Sequence, residues 1–237
     1  DGISNGRGFP NYLGVMAVNP EQDRIWIPAK KDNLFRGLQR DGKPLVFDHT
    51  VRSIALEIDV LGNKEIEANR VDFDNHDFAT SAAFSSVGNM VYATTNGSQA
   101  LIAIDAYNPN TTAAFNTHGE GAISIVTNDI GDKLYVHNQL SRSIAVFNTT
   151  LEGDVKFETK WSVVGKEILP ENVLAGKRTF NNTFKSNLSR EGYMSCASCH
   201  IDGSHDGRIW DLSNLGEGLR NTIDLRGKEG MKHGTLH

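Results

Sequence analysis

This chain of 237 residues is most informative in what it has little of. It has only two cysteines, so no disulfide framework can staple it, and a structural zinc site, which takes four ligands rich in sulfur, would lack thiolates. No apolar run approaches the roughly 20 residues that span a bilayer. Lysine and arginine number 24 against 29 acidic residues, a formal net charge of -5. That balance makes no electrostatic case for nucleic acid or for an anionic membrane surface. The opening residues Asp1–Gly6 have neither the basic nor the apolar region of a secretory signal. With 38% apolar residues there is still ample material for one large domain or two modest ones.

The two cysteines stand together in Cys196-Ala197-Ser198-Cys199-His200, the spacing that attaches a c-type haem. Two thiols three positions apart can add across the porphyrin vinyl groups, and the adjoining imidazole can ligate the iron from below. A disulfide, a zinc half-site and chance are the competing readings. The expectation is one covalent haem c held by Cys196, Cys199 and His200. Because such haems are attached outside the cytoplasm, a periplasmic or extracellular location is expected, with a leader removed or an upstream portion missing.

For the far side of the iron, Met231 and His237 are the candidate metal ligands, with His233 and Glu229 the side chains available for acid–base work on a bound peroxide. Arg208, Arg220 and Arg226 are candidates to pair with the haem propionates, and Trp210 to wall the porphyrin. Met16 and Met90 lie in strand patterns and are expected in the core.

Before this motif the chain repeats. Ser53–Asp59, Ala100–Asp105 and Ser143–Asn148 are β-rich runs ending in Asp or Asn. Upstream of them lie Arg24–Pro28, Met90–Thr94 and Lys133–His137, and upstream again Gly14–Val18, Ser81–Phe84 and Ala122–Val126. Turn residues such as Asn19-Pro20, Gly88-Asn89 and Gly131-Asp132 fill the gaps. The last two units are about 43 residues apart, near the period of a propeller blade. Lys30–Pro44 reads as a basic, solvated insertion or a docking loop, and Asp72–Asp77 as a solvated inter-blade loop with a calcium site as the sharper alternative. Five Asn-x-Ser/Thr sequons begin at Asn96, Asn110, Asn148, Asn181 and Asn187.

Beyond Glu152-Gly153-Asp154 the repeat fades. Trp161–Val164 reads as one more strand, and Pro170 opens a helix with Val173, Leu174, Phe180 and Phe184 on one face, expected to pack on the haem edge.

Tyr135-Val136-His137-Asn138 and the strands after it resemble the YVTN-type β-propeller repeat over residues 10 to 150. Leu174–Phe180, Ser189–His200 and Leu219–Gly227 resemble the haem domain of di-haem cytochrome c peroxidases and MauG-like proteins. The resemblances imply a mainly β chain with a small α domain: about three blades of an incomplete propeller over residues 1–160, then a helical cytochrome c domain over 161–237. The implied function is an electron carrier docking on a redox protein partner or on other subunits of a larger cytochrome assembly. The alternative is a peroxidase or MauG-like enzyme whose second haem lies elsewhere. A third reading is a propeller binding module to which the last part is merely appended.

Overall fold

A computed structural model describes residues 8–32, 51–73, 75–189, 192–212 and 216–226. The described residues are mostly β, and those before the helix form three antiparallel sheets in a partly curled array. The first sheet contains β1 (Phe9–Asn11), β2 (Ala17–Val18), β3 (Arg24–Asp32), β4 (Val51–Asp59), β5 (Lys64–Glu65) and β6 (Val71–Asp72). Here β3 and β4 pair along their whole length, while β1 and β2 share one edge and β5 and β6 the other. The second sheet is the meander β7 (Ala79–Phe84), β8 (Met90–Thr95), β9 (Ala100–Asp105) and β10 (Thr112–Asn116). The third is β11 (Ala122–Thr127), β12 (Lys133–Asn138), β13 (Ser143–Thr149) and β14 (Val155–Ser162).

The turns that open β3, β8 and β12 share one device. The side chain of Asn19 accepts from the backbone N–H of Arg24 at 2.8 Å, that of Ser85 from Met90 at 3.1 Å and that of Asn128 from Lys133 at 3.0 Å. A short polar side chain five residues before the strand thus closes each turn by bonding the backbone directly.

Neighbouring inner strands are tied together. Val15 bridges Ser81 in parallel, and the Thr80 hydroxyl donates to the Ala122 carbonyl at 3.0 Å. Gly14 is required at the crossing, because a Cβ there would lie 2.4 Å from the Thr80 carbonyl oxygen.

Between the sheets run two apolar cores. One joins the first and second sheets through Trp26, Ala55, Phe84, Val91, Ala93, Ile102 and Ile104. The other joins the second and third through Tyr92, Leu101, Ala103, Ile125, Leu134, Val136, Ala145 and Phe147. Strand β8 is covered on both sides, which is why Val91–Thr95 is buried without alternation.

Residues after β14 correct the expected architecture. The described residues hold a single α-helix, α1 (Glu171–Asn181), and none of its residues is buried. Val173 and Phe184 stand exposed and Leu174 and Phe180 are only half-buried, so the stripe read as a haem-packing face is not covered as a core face would be. Beyond the helix come two single-turn 3₁₀ segments (Cys196–Ser198 and Ile201–Gly203) and a two-stranded ribbon, β15 (Ile209–Leu212) with β16 (Gly218–Asn221). The fold is therefore not a partial propeller followed by a helical cytochrome c domain, but curled sheets with one helix and an irregular C-terminal segment. Trp161 and Ser162, with the residues from Val155, close the third sheet as its fourth strand, past the place where the repeat fades in sequence. Met16 is exposed rather than core, since β2 begins only at Ala17.

Candidate functional site

The C-terminal segment returns to the first two sheets, and its joint with them is built from charges. Lys30 and Lys31 complete β3 and are fully buried, where a solvated basic insertion was expected. Residues 33 to 44 of that insertion lie outside the described residues. The Lys30 ammonium sits 3.2 Å from both the Asp32 and the Asp206 carboxylates. It also lies over the rings of Tyr12 and Trp210, at 5.0 and 5.5 Å from their centroids. Asp32 in turn accepts from the Asn11 amide at 2.8 Å and from Arg208 Nε at 3.2 Å. The Trp210 indole N–H donates to Asp206 at 3.1 Å and to the Thr222 hydroxyl at 3.2 Å. Burial pushes the Asp206 carboxyl up, but the Thr222 hydroxyl and the Lys30 ammonium outweigh it and hold it below its ordinary value. Lys31 faces Asp72 at 3.4 Å, with burial drawing its ammonium down.

A second joint holds the cysteine loop itself. Ser195 and Ser198 cap the first 3₁₀ turn reciprocally, and the Ser198 hydroxyl donates to Asp77 Oδ1 at 2.5 Å. The backbone N–H of Asp77 donates to the Ser98 hydroxyl. Asp77 is buried, and desolvation raises its pKa to about 6 against the hydrogen bonds from Ser198, Ser195 and Gly97. Gly97 lies in the same joint, where a Cβ would come within 2.3 Å of both Asp77 Oδ2 and the Asn181 carbonyl oxygen. Beside it, Tyr193 is buried beneath the Arg52 guanidinium, which is 4.5 Å from the ring centroid.

On this support the predicted site residues divide. Cys196 is exposed and Cys199 half-buried; both are free thiols, and burial pushes that of Cys199 up to about 12. His200 Nδ1 lies 3.1 Å from the Ser204 carbonyl oxygen, to which it donates when it carries the proton. Arg208 is spent on Asp32, Arg220 on Glu217 and Arg226 on Asp224 and Ser204. Trp210 belongs to the charged joint. Met231, His233, His237 and Glu229 lie outside the described residues.

These contacts correct the cofactor assignment. The Cys-x-x-Cys-His run is present in the chain, but among the described residues no three His, Cys, Asp or Glu side chains gather to hold a metal ion. Around that run the chain builds a packed, hydrogen-bonded joint instead of a helical porphyrin pocket. Haem c is therefore withdrawn, and with it the electron carrier, the peroxidase-like alternative and the propionate roles of the arginines. Calcium at Asp72–Asp77 goes as well: Asp74 lies outside the described residues, and of the described carboxylates Asp72 is paired with Lys31 and Asp77 with Ser198. The location outside the cytoplasm was inferred from haem attachment. What stands is that, among the described residues, no helix is long and apolar enough to cross a membrane.

Lys30, Lys31, Asp32 and Asp77 were missed because charged residues read as solvated when their partners are remote; Lys30 and Asp206 are 176 positions apart. The one available signal was that Lys30-Lys31-Asp32 directly continues the strand pattern of Arg24–Pro28.

A cavity of about 400 Å³ lies at the other end of the first junction, lined by Glu21, Asp23, Arg24, Glu57, Asn69 and Tyr107 among others. Arg24 lies 3.3 Å from both the Asp23 and the Glu57 carboxylates, and Asn69 donates to Glu57 at 2.6 Å, so these charges are already paired.

No family model matches the chain, and no curated protein matches it, so the YVTN and di-haem peroxidase resemblances are not sustained. Solved structures are similar only distantly. Hydrazine synthase of Kuenenia stuttgartiensis is 15% identical over 60% of this chain and 46% of its own, with a TM-score of 0.49. The Dos1 propeller is 12% identical over 65% of this chain and 34% of its own, with a TM-score of 0.46. A nidogen/laminin complex is 11% identical over 62% and 46%, with a TM-score of 0.43. The chain thus spans less than half the length of each.

Proposed function

We propose that this chain is a binding module, a rigid stack of β-sheets that docks on other subunits of a larger assembly. Residues 1–160 are its platform, and the residues after them are a strap latched across one end. The observation that carries the reading is the outward face of the third sheet. There Val126 and Trp161 are 53% and 51% exposed, with Tyr135 and Ile144 half-covered beside them. A contiguous apolar and aromatic patch rimmed by charge marks an interaction surface. The rim is present: Lys133 pairs with Glu158, and Arg142 with Glu167 at 2.8 Å.

The test is the mass of the native protein isolated from its source cells. The expected result is a complex heavier than the single polypeptide, whose mass is read from the same sample under denaturing conditions, and brought down to that mass by Trp161→Asp with Val126→Asp. A wild-type protein whose native mass equals that of its single polypeptide overturns the proposal.

A further inference from the structure

We infer that the outward face of the third sheet seats a further four-stranded antiparallel β-sheet, supplied from outside these 237 residues. This rests on the binding-module reading and specifies its partner.

Residues directly opposite in an antiparallel sheet point to the same side, so the register defines which side chains share a face. In the second sheet Tyr92 shares its row with Ala83 and Ala103. In the third, Tyr135 shares its row with Val126, Val146 and Thr159. In the first, Trp26 shares its row with Ala17 and Glu57. All three aromatics occupy the third position of their strands, β3, β8 and β12.

Two of the three are completed by a neighbour. Trp26 is 1% exposed, in one core with Val91, Ala93, Ile102 and Ile104 of the second sheet. Tyr92 is 0% exposed, in one core with Leu134, Val136, Ala145 and Phe147 of the third. Its hydroxyl meets the Thr149 hydroxyl of that sheet at 2.7 Å. Tyr135 is only half-buried, and among the described residues its ring contact is with Trp161 of its own sheet, tilted against it at 6.2 Å.

The two filled junctions therefore describe the occupant of the third. It is a β-sheet whose second and third strands set apolar side chains on one face at alternate positions, as Val91, Ala93, Ile102 and Ile104 do against Trp26, and Leu134, Val136, Ala145 and Phe147 against Tyr92. By analogy with Thr149, a hydroxyl side chain at the end of its third strand meets the Tyr135 hydroxyl. Twisted sheets stack face to face about 10 Å apart through such rows, the same geometry both junctions use.

A second copy of this chain does not meet that description. The receiving faces of its second and third sheets are taken by Trp26 and Tyr92. The remaining aliphatic face, formed by Ile27, Ala29, Ile54 and Leu56 of the first sheet, is at most 8% exposed. Among the described residues, a copy has no free receiving face to offer.

The experiment places a benzoylphenylalanine photo-cross-linker at position 135 or 161 of the full chain in its source cells, with position 107, on an exposed loop, as control. Cross-linked peptides are identified by mass spectrometry. The expected result is an adduct from both positions to one β-strand segment of another polypeptide, with apolar residues at alternate positions. Its yield should fall roughly tenfold or more on Ile144→Asp. Circular dichroism checks the fold of that variant, and Trp161→Lys, at an exposed site, serves if it fails.

Adducts to this same chain, to lipid or to a helical segment overturn the inference while leaving the binding module in place. No adduct above the control, together with a native mass equal to that of the single polypeptide, removes both.

Discussion

The two kinds of interior in this molecule differ in what they tolerate. Between the sheets the contacts are apolar, non-directional and repeated, so each junction is a variation on the last. Beneath the C-terminal segment they are ionic and directional, and each charge depends on a named partner. Burying unpaired charge costs far more than leaving a small void, so the ionic joint fails at single substitutions that an apolar core would absorb.

Lys30→Met provides the sharpest break. It removes the cation shared by Asp32 and Asp206, leaving Asp32 to Arg208 alone and Asp206 buried without an ion-pair partner, at a cost of about 3–5 kcal/mol. Because the loss falls on the joint, the expected readout is accelerated hydrogen exchange in residues 204–226, with the sheet amides of residues 90–105 unchanged. Equal acceleration in both would mean that the joint and the sheets form one cooperative unit.

Tyr92→Ala tests the apolar side. Truncating an aromatic that is buried between two sheets costs about 3–5 kcal/mol. Tyr135→Ala, at the uncovered counterpart, should cost the isolated chain within about 1 kcal/mol. Similar losses in denaturant melts of the two variants would show that the third sheet's face is already satisfied.

The smallest effect is the most specific. Asp77 has a pKa raised to about 6 in the folded chain, above the ordinary carboxylate value near 3.8. A raised acid pKa means that the folded state holds its proton longer. The stabilisation is thus fully present below about pH 4 and is lost as the pH rises through about 6. Each pKa unit corresponds to about 1.4 kcal/mol, so the whole change is at most about 3 kcal/mol. The exchange protection of residues 193–200 should fall between pH 4.5 and 7, and Asp77→Asn should abolish that slope. A slope that persists in the variant assigns the titration to another group.

Much of the sheet architecture was legible beforehand because it is local. Alternating β-branched and aromatic runs punctuated by Asn, Gly and Asp specify strands and turns without reference to distant residues. Strands β9, β12 and β13 accordingly lie within a residue of the runs that announced them. The helix after Pro170 was legible for the same reason. Its apolar stripe was not a guide to packing, since periodicity reports which residues share a face but not what meets it. The Cys196–His200 run shows the limit most clearly: a five-residue spacing names a chemistry, but the pocket that would host it depends on residues brought from elsewhere.

On its own, the order of residues in this chain determined the short-range structure: where strands begin, which side chains share a row, and that the rows of the second and third sheets lie about 43 positions apart. Tertiary structure alone decided that Lys30, Lys31, Asp32 and Asp77 are interior, that the strap is latched by Asp206 and Ser198, and that Tyr135 lacks the cover given to Tyr92. The physical reason is range. Backbone preference and turn bonding act over a few residues, whereas the desolvation of a charge or an aromatic ring depends on whatever the completed fold lays against it.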